Sequence, residues 1–277
     1  MSRLSRTLAA AAAATLALTL AACAAATPGD EGDASDTVTP GKLTIATGEP
    51  AYYPWVLDDA PESGEGFEAA IAYAVAEELG FAKEDVVWVR TTFEQAIAPG
   101  PKNFDFNLQQ FSITEERKQA VDFSSPYYET TQTVITIEGS PAASARSLAD
   151  LKELLIGAQT GTSSFAAIES AIAPTQGAQA FNTNDDAKLA LQNGLVDAIV
   201  VDLPTAFYIT GVELDGGLIV GQLPVEGAGD QFGLVLEKDN PYTAAVSAAV
   251  DALRANGTLA AIAATWLAEA ADAPVLQ

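Results

Sequence analysis

The sequence predicts an α/β fold in two lobes with largely parallel sheets, and three observations carry that expectation. From Gly41 onward, short apolar runs alternate with longer stretches of helical spacing, the pattern of strands joined by helical crossovers. The alternation comes in two series, the second starting near Ser147. Two extended segments, Thr131 to Ile137 and Gln231 to Leu236, bracket that second series and read as crossings between lobes, the alternative being one large sheet with an inserted hairpin.

Each element has its own signal. Leu43 to Ala46 reads as the first strand; Phe67, Ile71, Ala74, Val75 and Leu79 fall at helical spacing, and Val86 to Arg90 is strand again. Gly80 closes the helix between them. The second series runs through a short helix to Glu153, strand Leu155 to Ala158, helix Phe165 to Ile172, strand Gln179 to Phe181, helix Asp185 to Asn193 and strand Ala198 to Val201. Gly194 and Pro204 mark element ends. Ligands in such sheets bind beyond the carboxyl ends of strands, where the loops after Thr47, Leu108, Ala158 and Val201 lie.

The first 40 residues read differently. Arg3 and Arg6 precede an apolar run from Leu8 to Leu20, and Leu20-Ala21-Ala22-Cys23 ends in the chain's one cysteine. The run falls short of the roughly 20 residues a spanning helix needs, so residues 1–22 read as a signal peptide. Leu-Ala-Ala-Cys resembles a bacterial lipobox, which implies cleavage before Cys23 and a lipid on its thiol. Residues 23–40 are rich in Asp, Gly, Thr, Ser and Pro and read as a flexible tether. Extended at about 3.3 Å per residue it reaches beyond about 50 Å.

With 13 basic and 37 acidic residues the formal charge is −24, and losing Arg3 and Arg6 with the leader takes it to −26. Such a surface repels nucleic acid and anionic head groups, so no nucleic-acid partner is expected and membrane contact falls to the lipid. One cysteine allows no internal disulfide, and the absence of histidine removes the usual proton-shuttle and Ser-His chemistry. No phosphate loop or metal-ligand cluster stands out, and no cofactor is expected.

The segment Phe111 to Tyr128, FSITEERKQAVDFSSPYY, sets one arginine among small hydroxyls. The Arg117 guanidinium offers a planar fork that matches a carboxylate, with Ser112 or Thr114 adding hydroxyl donors. The plainer alternative is a solvated pair between Arg117 and Glu115, Glu116 or Asp122. Ser112, Ile113, Thr114, Glu116 and Arg117, followed by Val121, Phe123, Ser124, Pro126 and Tyr127, resemble the signature of the bacterial extracellular solute-binding proteins, family 3. Tyr52-Tyr53-Pro54-Trp55 resembles that family's aromatic ligand loop and Gly66-Phe67-Glu68 its helix start. Gly161 to Ser164 is similar to its G-T-[TS]-S loop, Asp197 to Asp202 to its D-A-x-x-x-D strand, and Trp266 to the aromatic of its last helix.

The resemblance implies the two-lobe, type II periplasmic-binding-protein fold, with lobe 1 at residues 41–133 and 232–277 and lobe 2 at 134–231. It implies an amino acid held in the cleft: its carboxylate by Arg117, Ser112, Thr162 and Ser163, its ammonium by Asp202, with Tyr52 and Trp55 as an apolar wall. Several of these residues have plainer readings as well. Asp202 also reads as a helix N-cap, Thr162 as a cap, and the aromatics as core. Glu49 sits where family members that prefer basic amino acids carry an acid, and it also reads as a solvated turn glutamate. Gln110, with Gln109 and Asn107, replaces the small residues usual before the S-I-T motif, which leaves an Asn/Gln-like or opine-like ligand open.

The function expected is that of a lipid-anchored, monomeric binding protein outside the membrane, serving ABC permease subunits and not an enzyme. A cyclohexadienyl-dehydratase-like enzyme and a receptor uncoupled from transport are the alternatives.

Overall fold

Residues 37–225, 227, 229–267 and 273–277 are described by the computed structural model. The expected signal peptide, Cys23 and most of the tether lie outside them. The tether's expected end at Pro40 shifts: Thr37 is already buried, and the Val38 amide donates to Asp105 Oδ1 at 2.8 Å. Asp105 also takes the Thr44 amide at 2.6 Å, which fixes the start of the first strand.

In chain order the elements are β1 (Leu43–Gly48), α1 (Phe67–Glu78), β2 (Val86–Thr91), α2 (Phe93–Ile97), β3 (Phe106–Asn107), β4 (Val121–Phe123), β5 (Tyr128–Thr130) and β6 (Gln132–Ile137). There follow α3 (Leu148–Leu151), β7 (Ile156–Gln159), α4 (Ser163–Ala167), β8 (Gln179–Phe181), α5 (Asn184–Gln192), β9 (Ala198–Asp202) and α6 (Leu203–Tyr208). The chain closes with β10 (Gly217–Gln222), β11 (Asp230–Phe232), β12 (Val235–Glu237), α7 (Thr243–Ala255) and α8 (Thr258–Trp266).

Two five-stranded sheets result, in the orders β2-β1-β3-β12-β4 and β10-β6-β9-β7-β8. The expectation of largely parallel sheets holds for half of each. β1 runs parallel to β2 and β3, and β7 to β8 and β9, but β12 and β6 enter antiparallel to their neighbours. Both are reached straight from a short connecting pair rather than through a helical crossover, and only a crossover restores the parallel direction. That pair is β5 with β11, Asp230 facing Thr130 and Phe232 facing Tyr128. The first crossing therefore falls just before the expected Thr131 to Ile137, and the second overlaps the start of the expected Gln231 to Leu236. Gln132–Ile137 and Val235–Glu237 are sheet strands in their own right.

Apolar alternation covers both faces of the second sheet. Val134 and Val200 face one buried cluster while their neighbours Ile135, Ile199 and Val201 face another, as period-2 geometry requires. In the first half α1 buries Phe67, Ile71 and Val75 and packs on α7 and α8. Gly66 precedes it at φ 106°, ψ 156°, a region open essentially to glycine, and a Cβ there would come 2.5 Å from the Trp55 carbonyl oxygen. That close approach anchors the aromatic loop to the helix start.

The chain's last residues leave the half in which residues 232–277 were expected. Val275 bridges to Gln222, and Leu276 is buried with Val134, Ile156 and Val200. Gly221 leaves the room: a Cβ on it would stand 2.8 Å from Leu276 Cγ.

Candidate functional site

The strand ends converge as the sheet geometry requires. Gly48 after β1, Gln109 after β3, Gln159 at the end of β7 and Asp202 at the end of β9 all line one cavity, so both halves contribute walls. Its cavity volume is ≈ 50 Å³, room for a few waters, because side chains draw the halves together. Arg117 Nη2 donates to the Gly161 carbonyl at 2.9 Å, Trp55 Nε1 to Thr205 Oγ1 at 3.0 Å and Tyr52 Oη to Asp185 Oδ2 at 3.1 Å. The Ser112 and Ser163 hydroxyls meet at 2.9 Å.

Arg117 opens a single short turn whose start is held by Thr114 Oγ1 accepting the Arg117 amide at 3.1 Å. Its guanidinium is half-buried, donates from Nη1 to the Ser112 carbonyl at 2.7 Å and lies 5.3 Å from the Phe93 ring centroid. Among the described residues no carboxylate pairs with it. Glu115 is taken by Lys118 at 2.7 Å and Asp122 by Lys238 at 2.9 Å, which disposes of the solvated pairs expected with those acids. Burial lowers the Arg117 pKa, and the fields of Asp230, Asp202 and Glu116 oppose that. A shielded cation without a bonded anion at a cavity wall is a seat for an anionic group.

Asp202 takes the N-cap position of α6 but makes no capping hydrogen bond. The β6–β9 register sets Gln132 opposite it, and Gln132 Nε2 donates to Asp202 Oδ1 at 2.8 Å and to Asp230 Oδ2 at 2.7 Å. Gln132 Oε1 in turn accepts from Ser164 Oγ at 2.6 Å. Burial first, and then the neighbouring Asp230, push the Asp202 carboxyl up to about 7, with Gln132 holding it down in part. An ammonium in the cavity reverses that shift by opposite charge.

The remaining expected residues separate. Ser163 lines the cavity; Ser112 stands behind it, joined to Ser163. Thr162 also lines it, but its hydroxyl is committed, accepting from the Phe165 amide at 3.1 Å and donating to the Gln159 carbonyl at 2.6 Å. Tyr52 lines the cavity with its hydroxyl turned to Asp185. Trp55 belongs to the core, edge-on to Phe67 and Phe232, and only reaches the cavity wall.

One expectation needs correction. Glu49 is exposed and does not line the cavity: Gly48 on one side and Pro50 to Tyr52 on the other do, which turns the residue between them outward. Gln110 does line the cavity, with its Nε2 donating to Glu68 Oε2. The Gln110 backbone, at φ 52°, donates to Glu68 Oε1 at 2.8 Å, and the Tyr127 hydroxyl donates to the same oxygen. Burial lifts the Glu68 carboxyl to about 7 against these three donors.

Sequence reasoning passed over Gln132, Asp230, Phe93 and the buried role of Glu68, and also Thr47, Gln159 and Asn184 on the walls. A strand-pairing register would have pointed to Gln132, since it lies opposite Asp202. Phe93 carries a legible cue, a Thr92–Gln95 capping box that sets α2 directly after β2.

The family model of the bacterial extracellular solute-binding proteins, family 3, matches residues 43–269. The L-arginine-binding protein of Pseudomonas aeruginosa is 31% identical over 217 residues, 76% of this chain and 82% of the relative. A solved ancestral arginine-binding protein bound to glutamine superposes with a TM-score of 0.70 at 29% identity, over 83% of this chain and 100% of that one. An ancestral amino-acid-binding protein, a precursor of cyclohexadienyl dehydratase, superposes with a TM-score of 0.66 at 27% identity, over 82% of this chain and 96% of that one.

Proposed function

Since the chain belongs to the bacterial extracellular solute-binding proteins, family 3, we propose that it captures a polar amino acid between its two lobes and hands it to an ABC permease. The fold is the two-lobe, type II periplasmic-binding-protein fold. One observation carries the reading: a shielded guanidinium, Arg117, and a half-buried carboxyl, Asp202, face one cavity from opposite halves, each without an oppositely charged bonded partner. That pair complements the carboxylate and ammonium of a free amino acid. Ligand contact with both halves makes binding and lobe closure one event.

The lipobox-like Leu20-Ala21-Ala22-Cys23 supports a lipid anchor that holds the protein at the outer face of the membrane. Among the described residues no helix is long and apolar enough to cross a membrane. Replacing Cys23 with serine is expected to move the protein from the membrane fraction to the soluble one; unchanged fractionation would rule the anchor out.

The test of the ligand class is a thermal-shift screen over the L-amino acids. A ligand present at about 1,000 times its dissociation constant stabilises the fold by about 4 kcal/mol, an unmistakable rise in melting temperature. No rise with any amino acid would defeat the reading. Incubation with prephenate or arogenate separates capture from turnover, and intact substrate is the outcome expected.

A further inference from the structure

The cavity's side chains divide by whether their hydrogen-bonding capacity is already used. Arg117, Asp202, Gln110, Thr162, Ser163 and Ser164 are all engaged. Thr47, Gln109, Gln159 and Asn184 line the same space, and none of their side chains takes part in a hydrogen bond among the described residues. All of these unengaged groups are neutral.

Gln109 is the most constrained of them. Its Oε1 is buried with no partner. Its amide lies against Gly48, where a Cβ would stand 2.8 Å from Nε2, so the glycine makes the space the amide fills. An unmet buried amide is costly, and whichever way it is turned it asks for one donor and one acceptor.

Charge narrows the choice further. Asp202 is the one carboxylate among the cavity-lining residues. Of the acids around it, Asp59 pairs with Arg90 at 2.6 Å and Asp185 with Lys188 at 2.8 Å, while Glu68 is held by Gln110 and Tyr127 and Asp230 by Gln132. Arg90 Nη1 also donates to the Gly48 carbonyl at 2.7 Å, which sets a cation behind the wall that Gln109 packs on. A cationic side chain arriving there finds no free anion, an acidic one leaves Gln109 Oε1 without a donor, and a hydrocarbon satisfies neither end.

We infer that the amino acid bound here carries a neutral carboxamide side chain, of the glutamine or asparagine class, and that Gln109 selects it by pairing amide to amide. The inference rests on the reading of the cavity as an amino-acid site.

Calorimetric titration of the full chain with L-glutamine, L-asparagine, L-glutamate, L-arginine and L-norleucine tests it. A carboxamide ligand is expected to bind at least about tenfold more tightly than the other three, since only it meets both ends of the buried amide. Gln109→Met is expected to erase that preference while the unliganded melting temperature stays level or rises, because the deleted amide bonds to nothing in the unliganded fold. Gly48→Ala, which displaces Gln109, is a second route to the same loss should the first variant fail to fold. Arginine or glutamate binding as tightly as the carboxamides, or a Gln109→Met variant that keeps the preference, would overturn the inference while leaving the amino-acid reading intact. Failure of all five ligands would overturn the inference, and the amino-acid reading with it only where the thermal-shift screen over the L-amino acids also shows no rise.

Discussion

Arg117 and Asp202 enter the cavity already hydrogen-bonded, Arg117 to backbone carbonyls and Asp202 to Gln132, whereas Thr47, Gln109, Gln159 and Asn184 line the same space with none of their side chains engaged. The first region is charged, spans both halves and is braced through Gln132, Ser163 and Ser164. The second is neutral and unbraced. The contrast separates two tasks. Preorganised charge suits a head group common to all amino acids, and unspent neutral capacity suits the part that differs between them.

The largest effect that sharpens this contrast belongs to the braced side. Asp202→Asn keeps the shape but removes the charge that meets an ammonium, and is expected to cost about 2–5 kcal/mol of binding to every amino acid alike. Calorimetry that found only one ligand weakened would move Asp202 from the common clamp to the selective wall.

A smaller and opposed pair of effects follows from pH. In the unliganded protein Asp202 titrates at about 7, and a bound ammonium pulls that value down. Affinity is therefore full above about pH 7 and falls by up to about tenfold per unit below it. The unliganded fold moves the other way. Glu68 and Asp202 both have folded values raised to about 7, so their protonated forms favour folding and that contribution is lost as pH rises from the ordinary carboxylate range through 7. Melting curves without ligand between about pH 8 and pH 5 should show this rise toward acid, and the combined Glu68→Gln and Asp202→Asn variant should flatten it. A wild-type slope that survives in the double variant would place the titrating groups elsewhere.

The smallest effect lies outside both regions. Glu49→Gln alters an exposed side chain that does not line the cavity, and is expected to shift affinity for any amino acid by less than about 0.5 kcal/mol. A selective loss of arginine or lysine binding would return Glu49 to the site.

The elements were legible where periodicity is strong. The alternation along Val134 to Ile137 and the spacing of Phe67, Ile71 and Val75 both state which face is buried. Motif spacing singled out Arg117 and Asp202, and both line the cavity. What escaped depends on contacts between residues far apart in the chain. Gln132 matters because β6 pairs with β9, and Glu68 because Gln110 and Tyr127 fold onto it. Leu276 leaves the first half because Gly221 offers it space. Of the two readings of Glu49 the exposed one holds, and the sequence left both open because a residue's place in a loop does not say which way its side chain turns.

The central claim is that Arg117 is held shielded and without a carboxylate partner in order to receive the ligand's own. Calorimetric titration of Arg117→Ala with the amino acid that best stabilises the wild type tests it directly, alongside a melting curve of each unliganded protein. Binding is expected to vanish, with a loss of about 2–5 kcal/mol or more and the unliganded melting temperature nearly unchanged. A variant that binds as tightly as the wild type would contradict the account.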